Sequence, residues 1–145
     1  MSTIIGLDHG SRRIGVAVGD TDVGMAFDRQ AIQRRNLDAD LRIVANLVRA
    51  EDAELVVVGL PLNMDGSEGE QAAAATAFGS ALSDLGLRVV YHDERLSSWE
   101  AGERLRAAGR RPRRASGELD STAARLILQQ YLDARRRSER PKETE

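Results

Sequence analysis

Residues 4–20 read IIGLDHGSRRIGVAVGD, and the reading of this stretch decides the fold. Ile4, Ile5 and Leu7 make a short apolar strand that ends on a carboxylate, Asp8. Ile14, Val16 and Val18 make a second strand, with Ala17 among them. Between the two lie His9, Gly10, Ser11, Arg12 and Arg13, a glycine-bearing turn of the length that joins antiparallel neighbours. A carboxylate at the end of a buried strand, beside a turn rich in backbone donors and arginine, is well placed to hold a divalent cation against a phosphate. The plain alternative is turn chemistry, since Asp bonds its own backbone and Gly accepts positive φ. What separates the two readings is whether other carboxylates gather near Asp8.

Downstream, Met25–Gln33 is only loosely alternating and reads as a weaker third strand that completes an antiparallel meander. Asn36 or Asp38 offers an N-cap, and Leu41, Val44, Leu47 and Val48 fall at helical spacing, so an amphipathic helix is expected over residues 38–50. Residues 55–60, LVVVGL, form a continuous apolar run of the kind buried on both faces in parallel sheets, and this is the expected central strand. Pro61, Asn63, Asp65, Gly66, Ser67 and Gly69 then impose a loop. Ser67 and Glu70 have capping-box spacing ahead of a helix whose apolar face is Ala75, Phe78, Leu82 and Leu85, ended by Gly86. A loop leaving a central strand and feeding a helix is a usual ligand position in open sheets, or else a plain connector.

Residues 87–91, LRVVY, read as another buried strand running into His92, Asp93, Glu94 and Arg95, a second carboxylate position at a strand end. His92 and His9 lack spaced partners and read as structural. Ser97 and Glu100 repeat the capping-box spacing, so a short helix is expected to follow as far as Gly109. Residues 109–117, GRRPRRASG, place Arg110, Arg111, Arg113 and Arg114 around a proline without apolar periodicity, which predicts a mobile basic loop. Ser116 can cap a last helix with an apolar stripe of Leu119, Ala123, Leu126, Ile127, Tyr131 and Leu132. Asp120 falls in its first turn, where a carboxylate also suits the helix dipole. Residues 1–134 make one domain on this reading, and the charged stretch from Arg135 onward is expected to fray.

Composition narrows the function classes. The 145 residues suit one ordinary domain with a real core. The basic charge is almost wholly arginine, Lys142 being the only lysine, and arginine favours bidentate phosphate contacts. The absence of cysteine excludes disulfides, thiolate zinc sites and cysteine nucleophiles. No apolar run approaches membrane-spanning length and no leader pattern opens the chain, so a cytoplasmic protein without a membrane partner is expected.

Asp8, Glu94 and Asp120 gain their meaning together. The strands of Asp8 and Glu94 can neighbour each other in the sheet, and the helix that opens near Asp120 can pack across that edge. Clustered acids repel unless a cation sits between them. One or two magnesium or manganese ions so held activate water and stabilise the leaving oxygen of a phosphodiester, while arginines contact the nucleic-acid backbone.

Four segments, GLDHGSRRIGVAVGD, VVGLPLNMDGSEGEQA, DERLSSWEA and LDSTAARLILQQYLD, resemble in order and spacing the pattern of the YqgF family, also called RuvX. These are small proteins of the RNase H-like fold related to RuvC-type Holliday-junction resolvases and described as nucleases processing the 5′ end of pre-16S ribosomal RNA. The resemblance extends to about Asp133; the chain departs from the pattern at His9 and in its arginine-rich loop. It implies an α/β fold with a five-stranded mixed sheet, three antiparallel strands first, flanked by helices. It also implies catalytic and metal-holding roles for Asp8, Glu94 and Asp120; Asp93, beside Glu94, is expected to be structural. Arg12, Arg13, Arg95, Arg110, Arg111, Arg113 and Arg114 are the expected nucleic-acid contacts. Structured RNA is the expected partner and branched DNA the alternative; a homodimer is compatible with the reading. Two other classes compete. The DHGS turn resembles the phosphate hairpin of actin-like and sugar-kinase ATPases, which need two lobes that 145 residues do not provide. A non-catalytic ribosome-assembly factor would use the arginines and leave the acids idle.

Overall fold

Five strands, β1 (Thr3–His9), β2 (Arg13–Asp20), β3 (Met25–Gln33), β4 (Ala53–Leu60) and β5 (Val89–Asp93), form one sheet in the order β3-β2-β1-β4-β5. The computed structural model describes residues 2–94 and 118–139. The first three strands pair antiparallel, and β4 joins β1 and β5 in parallel. This is the mixed five-stranded sheet that the sequence predicts. The near-continuous apolar runs of β1 and β4 are explained by their central places, since each is covered on both faces.

Helices α1 (Leu37–Glu51) and α2 (Glu70–Asp84) cover one face, where Leu41, Val44, Ala75, Phe78 and Leu82 pack on Ile5, Leu7, Val16, Val56 and Val58. Helix α3 (Glu118–Glu139) covers the other, placing Ala124, Ile127, Leu128 and Leu132 on Ile4, Ala17, Leu55 and Val57. The glycine at position 6 sets the closeness of that second layer. A Cβ there would stand 2.8 Å from the Cβ of Leu128 and 3.3 Å from the carbonyl oxygen of Ala124, nearer than packed atoms allow.

Asn36 is the N-cap of α1, its side-chain oxygen accepting from the Ala39 N–H at 2.8 Å. The capping box expected at Ser67 and Glu70 does not form. Gly69 is the N-cap of α2 and provides no side-chain bond, and the Ser67 hydroxyl is used in the preceding turn, where it donates to Asp65 Oδ1 at 2.5 Å and accepts from Asn63 Nδ2 at 3.0 Å. Leu85 lies past the end of α2 and is exposed, not part of its apolar face. The fifth strand is shifted to Val89–Asp93 and is only partly buried, as an edge strand must be. Strands β1 and β5 are not neighbours, since β4 runs between them. In α3 the buried stripe includes Ala124 and Leu128, while Ala123 is only half-buried. That helix continues through Glu139, so the first five residues expected to fray are helical, and Arg135 reaches Glu54 at 3.3 Å. The short helix expected after Ser97, the arginine loop over residues 109–117 and the Ser116 cap lie outside the described residues.

Candidate active site

Side chains alternate between the two faces of a strand, and this places the first acid. Ile4 and Gly6 of β1 face α3, so Asp8, two residues on, faces the same side. His9 faces the opposite way. It is buried, with its ring 4.8 Å from that of Phe78, and burial, followed by the charge of Arg34, holds its imidazole below the ordinary range. The histidine beside Asp8 is thus a core side chain turned away from the carboxylates.

Glu94 follows β5 directly and its side chain leans back over β4. Its Oε2 lies 2.9 Å from the point where a Cβ on Gly59 would stand, and Ile127 Cδ1 lies 2.6 Å from that same point. Gly59 is therefore the gap through which Glu94 crosses β4 to approach Asp8. This resolves the intervening strand: β1 and β5 are separated, yet their acids interact over a residue without a side chain. Burial, then the charge of Asp8, then that of Asp93 push the Glu94 carboxyl up from its ordinary 4.5 to about 8. Gly59 was missed as a site residue in the sequence, although a glycine inside a strand signals close approach by another group.

The third acid is placed by the path of α3. Gln129 bonds the Ala26 N–H at 2.9 Å and the Gly24 carbonyl at 2.8 Å, fixing the middle of the helix at the start of β3. Ala124 lies against Gly6, so the helix climbs toward the Asp8 end of β1 as it is followed back to its N-terminus. Asp120 precedes Ala124 by four residues, about 6 Å along the axis; Asp8 lies two residues, about 6–7 Å, beyond Gly6. The first turn of α3 and the end of β1 thus reach the same level on one face of the sheet. The side chain of Asp120 is outside the description.

Among the arginines, Arg13 opens β2, and alternation with Gly15 and Ala17 puts it on the α3 face; Gly15 is the residue paired with Asp8. Arg12 is exposed in the turn. Arg95, Arg110, Arg111, Arg113 and Arg114 lie outside the described residues. His92 shares the Glu94 side of β5, and its Nε2 is 3.2 Å from Gln130 Oε1. Among the described residues no group of three or more His, Cys, Asp or Glu side chains is gathered closely enough to hold a metal ion. Asp8 and Glu94 provide two of the hard oxygen donors that magnesium and manganese prefer, and Glu94 is raised first by burial and then by the charge of Asp8, both of which a cation would offset. To that extent the residues fit such an ion.

A family model described as RuvX, Holliday junction resolvase, matches residues 2–134. The chain belongs to the RuvX family. A relative from Synechococcus sp. is 44% identical over 141 residues, covering 94% of this chain and 92% of its own. One from Anaeromyxobacter sp. strain K is 45% identical over 132 residues, covering 90% and 96%. Both carry the name "Putative pre-16S rRNA nuclease". Among solved structures, Thermus thermophilus RuvC in complex with a Holliday junction superposes with a TM-score of 0.59 at 14% identity, covering 94% of this chain and 96% of that one. The large terminase nuclease of phage G20c gives 0.57 at 14%, covering 90% and 81%. At such identities the likeness is one of fold, and it shows that this RuvX chain has the RNase H-like architecture expected from its motifs.

Proposed function

We propose that this RuvX protein is a divalent-metal-dependent endonuclease that hydrolyses phosphodiester bonds in structured RNA, with the 5′ end of pre-16S ribosomal RNA as its substrate in the cytoplasm. The observation that carries the reading is the crossing of Glu94 over Gly59 into the field of Asp8, on the face toward which the first turn of α3 brings Asp120. Two acids held that close, one of them largely deprived of water, are costly in a structural role and useful around a cation. The names of the curated relatives support the substrate.

Asp8, Glu94 and Asp120 would hold one or two magnesium or manganese ions. Such ions, when bound, make water a nucleophile at neutral pH and stabilise the departing oxygen. The chain's own residues do the rest. Gly59 leaves room for Glu94, and the sheet fixes Asp8 from a strand paired on both edges, so neither acid is reorganised when substrate arrives. Arg13, on the acid face, and Arg12, at the hairpin tip, offset the repulsion between carboxylates and phosphates. Arg95 and the four arginines over residues 110–114 extend that contact along the backbone of the nucleic acid.

A cleavage assay offering a ribosomal-RNA precursor and a four-way DNA junction side by side tests the reading. Metal-dependent cutting of the precursor, lost in Asp8→Asn, is expected. Cutting of the junction alone would assign the same acids to branched DNA, and binding of RNA without cutting would leave an assembly factor.

A further inference from the structure

The turn that follows Asp8 is held from one side by a single residue. Arg34 Nη1 donates to the carbonyl of Gly10 at 3.2 Å and to that of Ser11 at 3.4 Å. The backbone N–H of the same arginine donates to the carbonyl of Arg12 at 3.0 Å. Three successive turn carbonyls therefore point at Arg34. Within the turn, the Gly10 N–H closes onto the Arg13 carbonyl at 2.8 Å.

Arg34 is itself fixed by Asp40, a fully buried carboxylate in the first turn of α1. Asp40 Oδ2 lies 3.6 Å from Arg34 Nε, and Oδ1 accepts from the Arg35 N–H at 3.1 Å. The pair is held by charge, since Arg34 Nε and Asp40 Oδ2 are buried and make no hydrogen bond, and a completely buried acid is costly without such a partner. What Arg34 does for the turn follows from peptide geometry. All peptide bonds described are trans, and in a trans peptide the carbonyl and the following N–H point opposite ways. Carbonyls 10 and 11 turned toward Arg34 leave the N–H groups of Ser11 and Arg12 turned away from it, at two exposed residues. Successive N–H groups presented together attract an anion.

We infer that Arg34, braced by Asp40, is a positioning residue that sets the turn after Asp8 so that the Ser11 and Arg12 N–H groups receive a phosphate of the nucleic-acid substrate beside the acids. The inference rests on the nuclease reading for its substrate but on different residues for its geometry. Asp40 contributes by holding the arginine, and neither residue touches the reacting atoms.

The test uses the full chain, well below its unfolding temperature, with Arg34→Lys, Arg34→Met and Asp40→Asn. Arg34→Lys keeps the charge and loses the planar fork. Misplacement of the turn should lower kcat/KM for a cleaved RNA by roughly ten- to a hundred-fold, with manganese affinity by calorimetry unchanged and amide exchange at residues 11 and 12 faster. Asp40→Asn should show the same pattern in weaker form. Turnover per folded molecule equal to wild type, with only the unfolding temperature lowered, would overturn the inference and leave the pair as a stability element. Absence of metal-dependent cleavage in the wild type would instead be a failure of the nuclease reading. The clamp is then judged on RNA affinity: weaker binding with faster exchange supports it, and unchanged binding refutes it.

Discussion

Replacing Glu94 by Gln should stabilise the metal-free protein at neutral pH while destroying its activity. The folded carboxyl is raised to about 8 from an ordinary 4.5, so the folded state keeps its proton where the unfolded chain has already released it. The folded state binds more protons between those two values, and wild-type stability therefore falls as pH rises from about 4.5 to about 8. At pH 7 the difference has a ceiling of about 3 kcal/mol, taking about 1.36 kcal/mol per pH unit. Relaxation and residual solvent contact reduce this to about 2 kcal/mol, or about 6 °C in unfolding temperature for a chain of this size. Gln keeps the shape and removes the titration. Thermal unfolding followed by circular dichroism in chelator, at pH 4, 5.5, 7 and 8.5, is the assay. The variant should match wild type at pH 4, exceed it increasingly to pH 8, and level off. Magnesium at 100 times its dissociation constant should add about 2.7 kcal/mol to wild type and little to the variant. A variant less stable than wild type at pH 7, or a difference that does not change with pH, would refute the placement of Glu94 beside Asp8.

Three further outcomes follow from the same geometry. Gly59→Ala puts a Cβ 2.6 Å from Ile127 Cδ1 and 2.9 Å from Glu94 Oε2; both are side-chain ends that can shift, so steady-state kinetics should show a loss of roughly 10²-fold in rate with the fold retained by circular dichroism. Asp93→Asn should cost much less rate than Asp8→Asn or Glu94→Gln, and the reverse order in single-turnover assays would reassign the acid of this segment. Changing Arg110, Arg111, Arg113 and Arg114 together to Ala should weaken RNA binding irrespective of sequence and flatten the salt dependence by about 0.7 in log–log slope per lost single-strand phosphate contact. An unchanged slope would make those arginines a solvated connector.

The strands and helices were legible where a period was strong. LVVVGL had to be central because it has no polar face, and the β1–β2 hairpin followed from two apolar runs around a glycine-bearing turn. Errors arose where one local signal competed with another. Ser67 has capping-box spacing to Glu70, but Asp65 and Asn63 captured its hydroxyl first, a contest of hydrogen bonds that spacing does not record. The acids were visible as strand-end carboxylates, whereas the means of bringing two of them together was not. The sequence allowed β1 and β5 to be neighbours; the sheet interposes β4 and solves the distance with Gly59. The pairing of Arg34 with Asp40 had no sequence signal, since Arg34 in the link after β3 and Asp40 in the first turn of α1 belong to one polar run whose burial depends on the tertiary fold.

The central claim is that Asp8, Glu94 and Asp120 form one metal site, and titration calorimetry with manganese tests it most directly. Wild type and Asp93→Asn should bind, while Asp8→Asn, Glu94→Gln and Asp120→Asn should each lose most of the affinity, with combinations no worse than the singles because the acids act as a unit. Binding by Asp120→Asn equal to wild type, or no binding by the wild type, would contradict the account.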